Sequence, residues 1–170
     1  MSEVTARRVG PDDWRTWRNL RLAALAESPE VFPTELARAE AYDETDWRAR
    51  LDPDSGAWIV ADAGDRPVGQ VGAWLPFGTV PTLVALWVRP DWRGRGAGDA
   101  LVADVLAWAR EYGHHQVDLW VLETNEPARR LYRRHGFVAQ DDYLPYPDAP
   151  RLREQLMSWS AGGPGRPAGP

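Results

Sequence analysis

The stretch WVRPDWRGRGAGDALVADVL, Trp87–Leu106, decides the fold. An apolar run ends at Val88, and three glycines then alternate with other residues at Gly94, Gly96 and Gly98. Leucine, valine and alanine follow at helical spacing. Ordered glycine costs backbone entropy, so its use here indicates a tight turn or a close approach to a ligand. The stretch is therefore predicted to be a strand, a glycine loop and a helix that crosses over to a parallel strand.

Composition limits the classes of protein to consider. The chain has 170 residues, a net charge of −5 and no cysteine, which suits one domain without disulfides or thiolate metal sites. We assign that domain to residues 1–160 and expect the Gly/Pro-rich residues 161–170 to be disordered. The charge argues against nucleic-acid binding. The absence of a long apolar run or leader argues against a membrane span and favours a cytoplasmic location.

All 20 of the basic residues counted as Lys+Arg are arginine. Without lysine the chain cannot form a Schiff base or the nucleotide P-loop, which depends on its lysine. Any bound phosphate must therefore be held by backbone N–H groups and guanidinium groups.

Strand and helix patterns alternate along the rest of the chain. Strands are predicted at Thr5–Val9, Ala57–Ala63, Arg66–Leu75, Thr82–Val88, Gln116–Leu122, from Phe137, and at Glu154–Trp159. The strand Thr82–Val88 is almost wholly apolar, so we expect it to be central and buried on both faces. The pattern predicts an α/β fold with a mixed sheet and helices on both faces.

Helix ends are predicted from capping residues. Asp12 is expected to cap the first helix, and Thr45 or Asp46 a helix in the segment that follows. Gly113 and Gly136 are expected just beyond the ends of two later helices.

The glycine loop has the features of an anion site. Successive N–H groups at a helix N-terminus, where about half a positive charge accumulates, favour phosphate, and Arg93 and Arg95 add charge. The alternative is a strand-to-helix turn with solvated arginines. A dinucleotide site is less favoured, because the glycines alternate and Asp118 lacks the required relation to them.

Two motifs together carry a family resemblance. Arg93-x-x-Gly96-x-Gly98 and NEPARRLYRRHGF, Asn125–Phe137, resemble the two signatures of the Gcn5-related N-acetyltransferase (GNAT) superfamily. The resemblance implies a sheet splayed between its two central strands, where acetyl-coenzyme A inserts as co-substrate without a metal. It also makes a homodimer an expectation, because members of this family often dimerise.

The resemblance implies roles for individual residues. Those assigned to the cofactor are Leu86, Trp87, Val88, Arg93, Gly94, Arg95, Gly96, Ala97, Gly98, Asp99, Asn125, Arg129 and Tyr132. The resemblance implies that the Val88 N–H is the oxyanion donor and that the loop amides bind pyrophosphate. It also implies that Tyr132 is the general acid, although a packing tyrosine is the alternative from the residues alone. The Asp99 side chain is expected to face away from the phosphate, which it would repel.

The proton acceptor is less well defined. Many family members carry a carboxylate on the fourth strand, but TLVALWV has none. The candidates are Glu123, Glu35, Glu40 or an ordered water chain. The side chains expected to line the acceptor pocket are Trp74, Trp87 or Trp120.

The acceptor is expected to be a small-molecule amine such as a polyamine, an antibiotic or an amino acid derivative. A protein N-terminus is an alternative, and so is a non-catalytic acyl-coenzyme A sensor on the same fold.

Overall fold

The computed structural model describes residues 3–27, 33–76, 80–146 and 149–163. Within these ranges seven strands form one sheet, in the order β1-β2-β3-β4-β5-β7-β6. The strands are β1 (Val4–Val9), β2 (Gly56–Ala63), β3 (Arg66–Trp74), β4 (Thr82–Val88), β5 (Gln116–Leu122), β6 (Val138–Tyr146) and β7 (Ala149–Ser160). The helices in the same ranges are α1 (Trp14–Glu27), α2 (Pro33–Ala41), α3 (Glu44–Arg50), α4 (Ala97–Glu111) and α5 (Glu126–Arg134). Most of the predicted tail, residues 164–170, lies outside the described residues.

The sheet is mixed, as predicted. Every described strand pair is antiparallel except β4 and β5, which are parallel and joined through α4. A parallel connection needs a crossover, and the strand, glycine loop and helix pattern supplies it. The mixed α/β class is therefore confirmed.

Helices cover both faces of the sheet. Side chains alternate between faces along a strand, so Ile59 and Ala61 of β2 join the core beneath α4 and α5, whereas Val60 joins the core beneath α1, α2 and α3. Leu101, Val102 and Val105 of α4 are fully buried. The two cores fix the helices that flank the central strands.

The prediction that β4 is buried on both faces is wrong. Only Leu83 of β4 is buried, at 4% exposure, and the other six residues of the strand are partly exposed. The apolar run instead lines an open cleft, because its neighbour β5 separates from it. The last strand is also longer than predicted, running from Ala149 to Ser160.

The predicted cap of the first helix is also corrected. The chain enters α1 through a 3-10 turn at Pro11–Asp13, and the Asp13 carboxylate accepts from the Gly10 N–H at 3.2 Å. The Asp12 side chain instead accepts from Arg48 at 2.8 Å. Because this turn precedes the helix, the N-cap position falls at Gly10, two residues before the predicted Asp12.

Helix ends elsewhere follow local chemistry. Asp43, rather than Thr45 or Asp46, caps α3, and Asp46 returns the bond to the Asp43 N–H in a capping box. Gly113 and Gly136 have φ of 76° and 90° just beyond α4 and α5. These two glycine ends are confirmed, since that backbone region favours glycine.

Candidate active site

The centre of the sheet opens where β4 and β5 diverge. Their pairing is confined to Thr82 with Asp118 and Leu83 with Leu119. Beyond these pairs lies a cleft of about 490 Å³. Its lining includes Arg21, Glu35, Leu86, Trp87, Trp120, Asn125, Tyr132, Tyr146 and Glu154. The cleft therefore gathers residues from α1, α2 and α5 around the ends of the two central strands.

A bulge in β4 accompanies the divergence. Gly72 pairs with Val84 and Gln70 with Trp87, so two β4 residues lie opposite the single residue Val71. Ala85, the first of the two, has φ of 55°, in the left-handed region that favours glycine. Bulges bend a strand and redirect its main chain. Here the bend occurs where β4 leaves β5, and the sequence carries no glycine to signal it.

The main chain of Val88 faces the open side of β4. Val88 pairs with Gly69, and the neighbouring Arg89 N–H donates to the Val68 carbonyl at 2.8 Å. In an antiparallel ladder this bond marks Val88 and Gly69 as a non-hydrogen-bonded pair. The Val88 N–H and C=O therefore point away from β3. The carbonyl accepts from Arg93 Nε at 3.0 Å, and the N–H is directed to the side from which β5 has withdrawn.

The three loop glycines have two different uses. Gly94 and Gly96 have φ of 72° and 86°, and a Cβ at either position would meet no atom within 4 Å. They supply a left-handed backbone that leaves open space in front of the α4 N-terminus. Gly98 lies within α4, where a Cβ would come 3.0 Å from Leu131 Cδ2. Gly98 therefore lets α4 approach α5 closely, a packing role that the sequence pattern did not separate from the other two.

Both loop arginines are exposed but contact other side chains of the protein. Arg93 Nη2 contacts the two Glu27 carboxylate oxygens at 2.8 and 2.7 Å, and Trp87 Nε1 donates to the same carboxylate at 2.7 Å. Arg95 lies over the Trp92 ring, 5.1 Å from its centroid. Both arginines flank the loop as predicted, but Arg93 carries its own counter-ion.

Asp99 in the first turn of α4 faces α5. Its carboxylate accepts from Arg134 Nη2 at 2.9 Å and lies 2.9 Å from His135 Nε2. Burial acts to raise the pKa of Asp99, but hydrogen bonds and charge from His135 and Arg134 outweigh it and lower that pKa. The side chain is turned away from the glycine loop, as expected from the sequence.

Tyr132 lies in the cleft wall on α5. Asn125 caps this helix, accepting from the Ala128 N–H at 3.2 Å. The Tyr132 ring is 6% exposed and meets Phe137 edge-on at 5.7 Å. Burial raises the pKa of Tyr132, so its hydroxyl stays protonated throughout the neutral range.

Glu154 is a cleft carboxylate that the sequence argument missed. It is half-buried in the cleft wall, and burial, followed by the negative charge of Glu35, raises its pKa. Glu35 is itself paired with Arg21 at 2.8 Å. A signal existed in the sequence, because Leu152 and Leu156 lie two residues to either side of Glu154, so that an acid shares the face of two leucines.

The other predicted acids lie elsewhere. Both Glu123 oxygens accept from Arg153, at 2.8 and 3.1 Å, and Glu123 is not part of the cleft wall. Glu40 is exposed on α2, also outside that wall. The structure thus brings Glu35 into the cleft and leaves Glu123 and Glu40 outside it.

Arg129 packs against β7. Its Nη2 donates to Gln155 Oε1 at 2.7 Å, and its Nε lies 3.7 Å from Glu126. The side chain is 11% exposed, so Arg129 is far more buried than a surface arginine. Its described contacts are with this polar pair, not with the glycine loop.

Two absences apply to the described part of the chain. In residues 3–27, 33–76, 80–146 and 149–163, no helix is long and apolar enough to cross a membrane. Across the same residues, no three His, Asp or Glu side chains are grouped so that they could hold a metal ion.

Comparisons with known proteins agree on one family. The sequence model of the acetyltransferase (GNAT) family matches residues 16–137. Among curated relatives, a mycothiol acetyltransferase of Thermobifida fusca is 31% identical over 89% of this chain and 48% of its own length. An uncharacterized N-acetyltransferase of Methanocaldococcus jannaschii is 30% identical over 81% of this chain and 62% of its own length. The chain thus spans about half the length of the curated relatives it matches.

Solved structures share the fold at low identity. A GNAT-family acetyltransferase from Streptococcus pneumoniae superposes with a TM-score of 0.77 at 18% identity, covering 93% of this chain and 99% of its own. A putative acetyltransferase from Salmonella typhimurium, solved with acetyl-CoA, gives 0.75 at 16% identity, covering 98% and 99%. Both likenesses, at identities below 20%, concern the fold alone.

Proposed function

This chain belongs to the acetyltransferase (GNAT) family, and we propose that its cleft transfers an acetyl group from acetyl-coenzyme A to a primary amine of a small molecule. The observation that carries the proposal is the opening between β4 and β5, which brings Tyr132 to the side of β4 where the Val88 N–H is free of β3.

The loop before α4 fits a pyrophosphate. Gly94 and Gly96 hold left-handed backbone with open space around them. N–H groups at such a helix start favour phosphate oxygens. We assign the pyrophosphate to the amides of residues 93–99 and the pantetheine arm to the Leu86–Val88 edge. A Salmonella protein of the same fold was solved with its cofactor acetyl-CoA, which supports acetyl-coenzyme A as the ligand.

Acetyl-coenzyme A supplies the thioester carbonyl, and the chain's residues supply the proton transfers and the charge stabilisation. The Val88 N–H donates to the carbonyl oxygen as negative charge develops there, a role worth about 3–4 kcal/mol in other enzymes. The bound ammonium first releases one proton to water, and Glu154 takes the second proton that the nitrogen loses as the C–N bond forms. Tyr132 donates its proton to the sulfur as the C–S bond breaks. The products are an amide and a free thiol.

Glu154 suits the role of base better than the three acids first considered. Burial and the charge of Glu35 raise the pKa of Glu154, which makes its carboxylate a stronger proton acceptor than an ordinary glutamate. Glu123 is engaged by Arg153, Glu40 lies outside the cleft, and Glu35 is paired with Arg21. Glu35 then acts on the reaction through its charge on Glu154.

The size of the cleft supports a small acceptor. Its volume of about 490 Å³ lies in the range of small-molecule pockets. A protein N-terminus as acceptor is the alternative, because an N-terminal amine could enter the same opening. The homodimer and the cytoplasmic location stay predictions.

The test is thiol release from acetyl-coenzyme A with a panel of small amines and N-terminal peptides, with products identified by mass spectrometry. We expect acetylated small amines and one thiol per product. Tight coenzyme A binding without turnover on any amine would instead support the acyl-coenzyme A sensor. Affinity for a nicotinamide cofactor, with none for coenzyme A, would support the dinucleotide alternative.

A further inference from the structure

A second cavity adjoins the cleft beneath α2 and α3. Its volume is about 390 Å³. The two spaces share Arg21, Leu25, Glu35, Val84 and Ala85 in their walls. They are therefore adjacent, with the Arg21–Glu35 pair in the wall of both.

The ionisable residues that line the second cavity carry a net positive charge. Three arginines and one glutamate line it, which gives 3 − 1 = +2 among its described ionisable residues. Arg21 and Glu35 neutralise one another at 2.8 Å. Arg50 donates to the Asp46 carbonyl at 2.9 Å, which leaves its charge uncompensated. Arg38 has no hydrogen bond or ion pair with a described residue and is exposed.

The walls between these charges are aromatic. Tyr42, Trp58 and Trp74 line the cavity, and Trp74 is 45% exposed. The Arg50 guanidinium lies 3.5 Å from the Tyr42 ring centroid, so a cation and a flat apolar surface are presented together. Planar guanidinium groups with spare donors suit a carboxylate.

The cleft has the opposite sign. Glu154 and Glu35 line it against one arginine, Arg21. The two adjacent cavities thus offer a carboxylate that would take an amine proton at one end and a pair of arginines at the other. A substrate that complements both ends is positive at the reacting nitrogen and negative at the far end.

We infer that the acceptor is a small amine that also carries a carboxylate, with an apolar or aromatic body between the two groups. This inference rests on the proposed function and narrows its acceptor. The amine lies beside Glu154 and the carboxylate beside Arg38 and Arg50. A polyamine is disfavoured, because its second cation would meet two arginines that have no carboxylate of their own.

Binding is tested without catalysis through the tryptophans of the cavity. Intrinsic fluorescence is titrated with 4-(aminomethyl)benzoic acid and 6-aminohexanoic acid, each beside its decarboxylated amine (benzylamine and pentylamine), and with spermidine. We expect each amino acid to bind at least about tenfold more tightly than its decarboxylated partner. Equal or tighter binding of the decarboxylated amines, or of spermidine, would overturn the inference.

Charge variants locate the carboxylate. Arg38→Gln and Arg50→Gln should each remove most of that tenfold preference. Arg66→Gln is the matched control, since Arg66 lines neither cavity and its surface partner is Asp91 at 3.2 Å. A preference that survives in Arg38→Gln and in Arg50→Gln would contradict the assignment. Because Arg38 is exposed, its variant should keep the wild-type melting temperature.

Turnover separates this inference from the proposed function. Acetylation of decarboxylated amines in preference to amino acids would refute the inference and leave the acetyltransferase intact. If no amine of any kind is acetylated, the proposed function fails, and the fluorescence preference still decides whether the second cavity recognises a carboxylate.

Discussion

Arg93 of the glycine loop and Glu27 at the end of α1 form a two-pronged contact, with Nη2 at 2.8 and 2.7 Å from the carboxylate oxygens. Trp87 donates to the same carboxylate from β4. Burial acts to raise the pKa of Glu27, but these hydrogen bonds and the Arg93 charge outweigh it and lower that pKa. This ion pair therefore connects α1, whose Arg21 lines the cleft proposed for the amine, to the glycine loop proposed for coenzyme A.

Glu27→Gln tests whether this contact competes with the pyrophosphate. Removing the carboxylate frees Arg93 and takes a negative charge away from the loop, so we expect coenzyme A to bind a few-fold more tightly by calorimetry. The pair is half-exposed, so the melting temperature should change little. Weaker binding would show that Arg93 serves the site through Glu27 instead.

Gly96→Ala tests the loop backbone. A Cβ at φ of 86° strains the chain by about 1 kcal/mol or more, and the loop amides should shift, weakening coenzyme A binding by at least about tenfold. Gly113→Ala is the matched control, with φ of 76°, open space and a place at the far end of α4. The two variants should lose similar stability in urea unfolding. Equal coenzyme A affinity in both would contradict the role of the loop.

Tyr132→Phe tests proton donation to the leaving sulfur. We expect kcat to fall roughly 100-fold, with little change in coenzyme A affinity. Tyr112→Phe, on a tyrosine that is 64% exposed at the end of α4, controls for the loss of a hydroxyl. An unchanged kcat in Tyr132→Phe would reduce that residue to a packing role.

Glu154 predicts a specific pH dependence. A base must be ionised, so kcat/KM should fall as pH drops through the Glu154 pKa, which lies above the ordinary glutamate value. Glu35→Gln removes the negative charge that helps to raise that pKa and leaves Arg21 uncompensated, so the acidic limb should move to lower pH. Glu40→Gln, on the same helix but outside the cleft, should not move it. A limb that stays fixed in Glu35→Gln would belong to the substrate amine.

Periodicity and glycine placement were enough to predict most of the architecture. The parallel pair β4 and β5, the crossover helix, and the ends at Gly113 and Gly136 all follow from local patterns. The burial of β4 did not follow, because an apolar strand can line a ligand cleft as well as a closed core. Position in the sheet, which is set by long-range pairing, decides between them.

The residues of the candidate site were also only partly predictable from the sequence. Asn125 caps the helix that carries Tyr132, so their motif fixes their positions together. Glu154 reaches the cleft only through the pairing of β7 with β5, a contact between segments distant in sequence. The ion pair of Arg93 with Glu27 is equally non-local. Residues that meet across the sheet therefore had to be found in three dimensions.

The short pairing between β4 and β5 has a consequence for how the molecule holds together. Among the described residues, backbone pairing joins β1–β4 to β5–β7 at one end of the interface, near Thr82 and Leu83. Elsewhere the two half-sheets are united by the side chains that α4 packs into their shared core, among them Leu101 and Val105. The two half-sheets are thus joined by main-chain pairing at one end and by helix packing along the rest. A ligand arm that pairs with the unpaired edge at Leu86–Val88 would add main-chain hydrogen bonds where β5 supplies none, and would stabilise the association of the two halves.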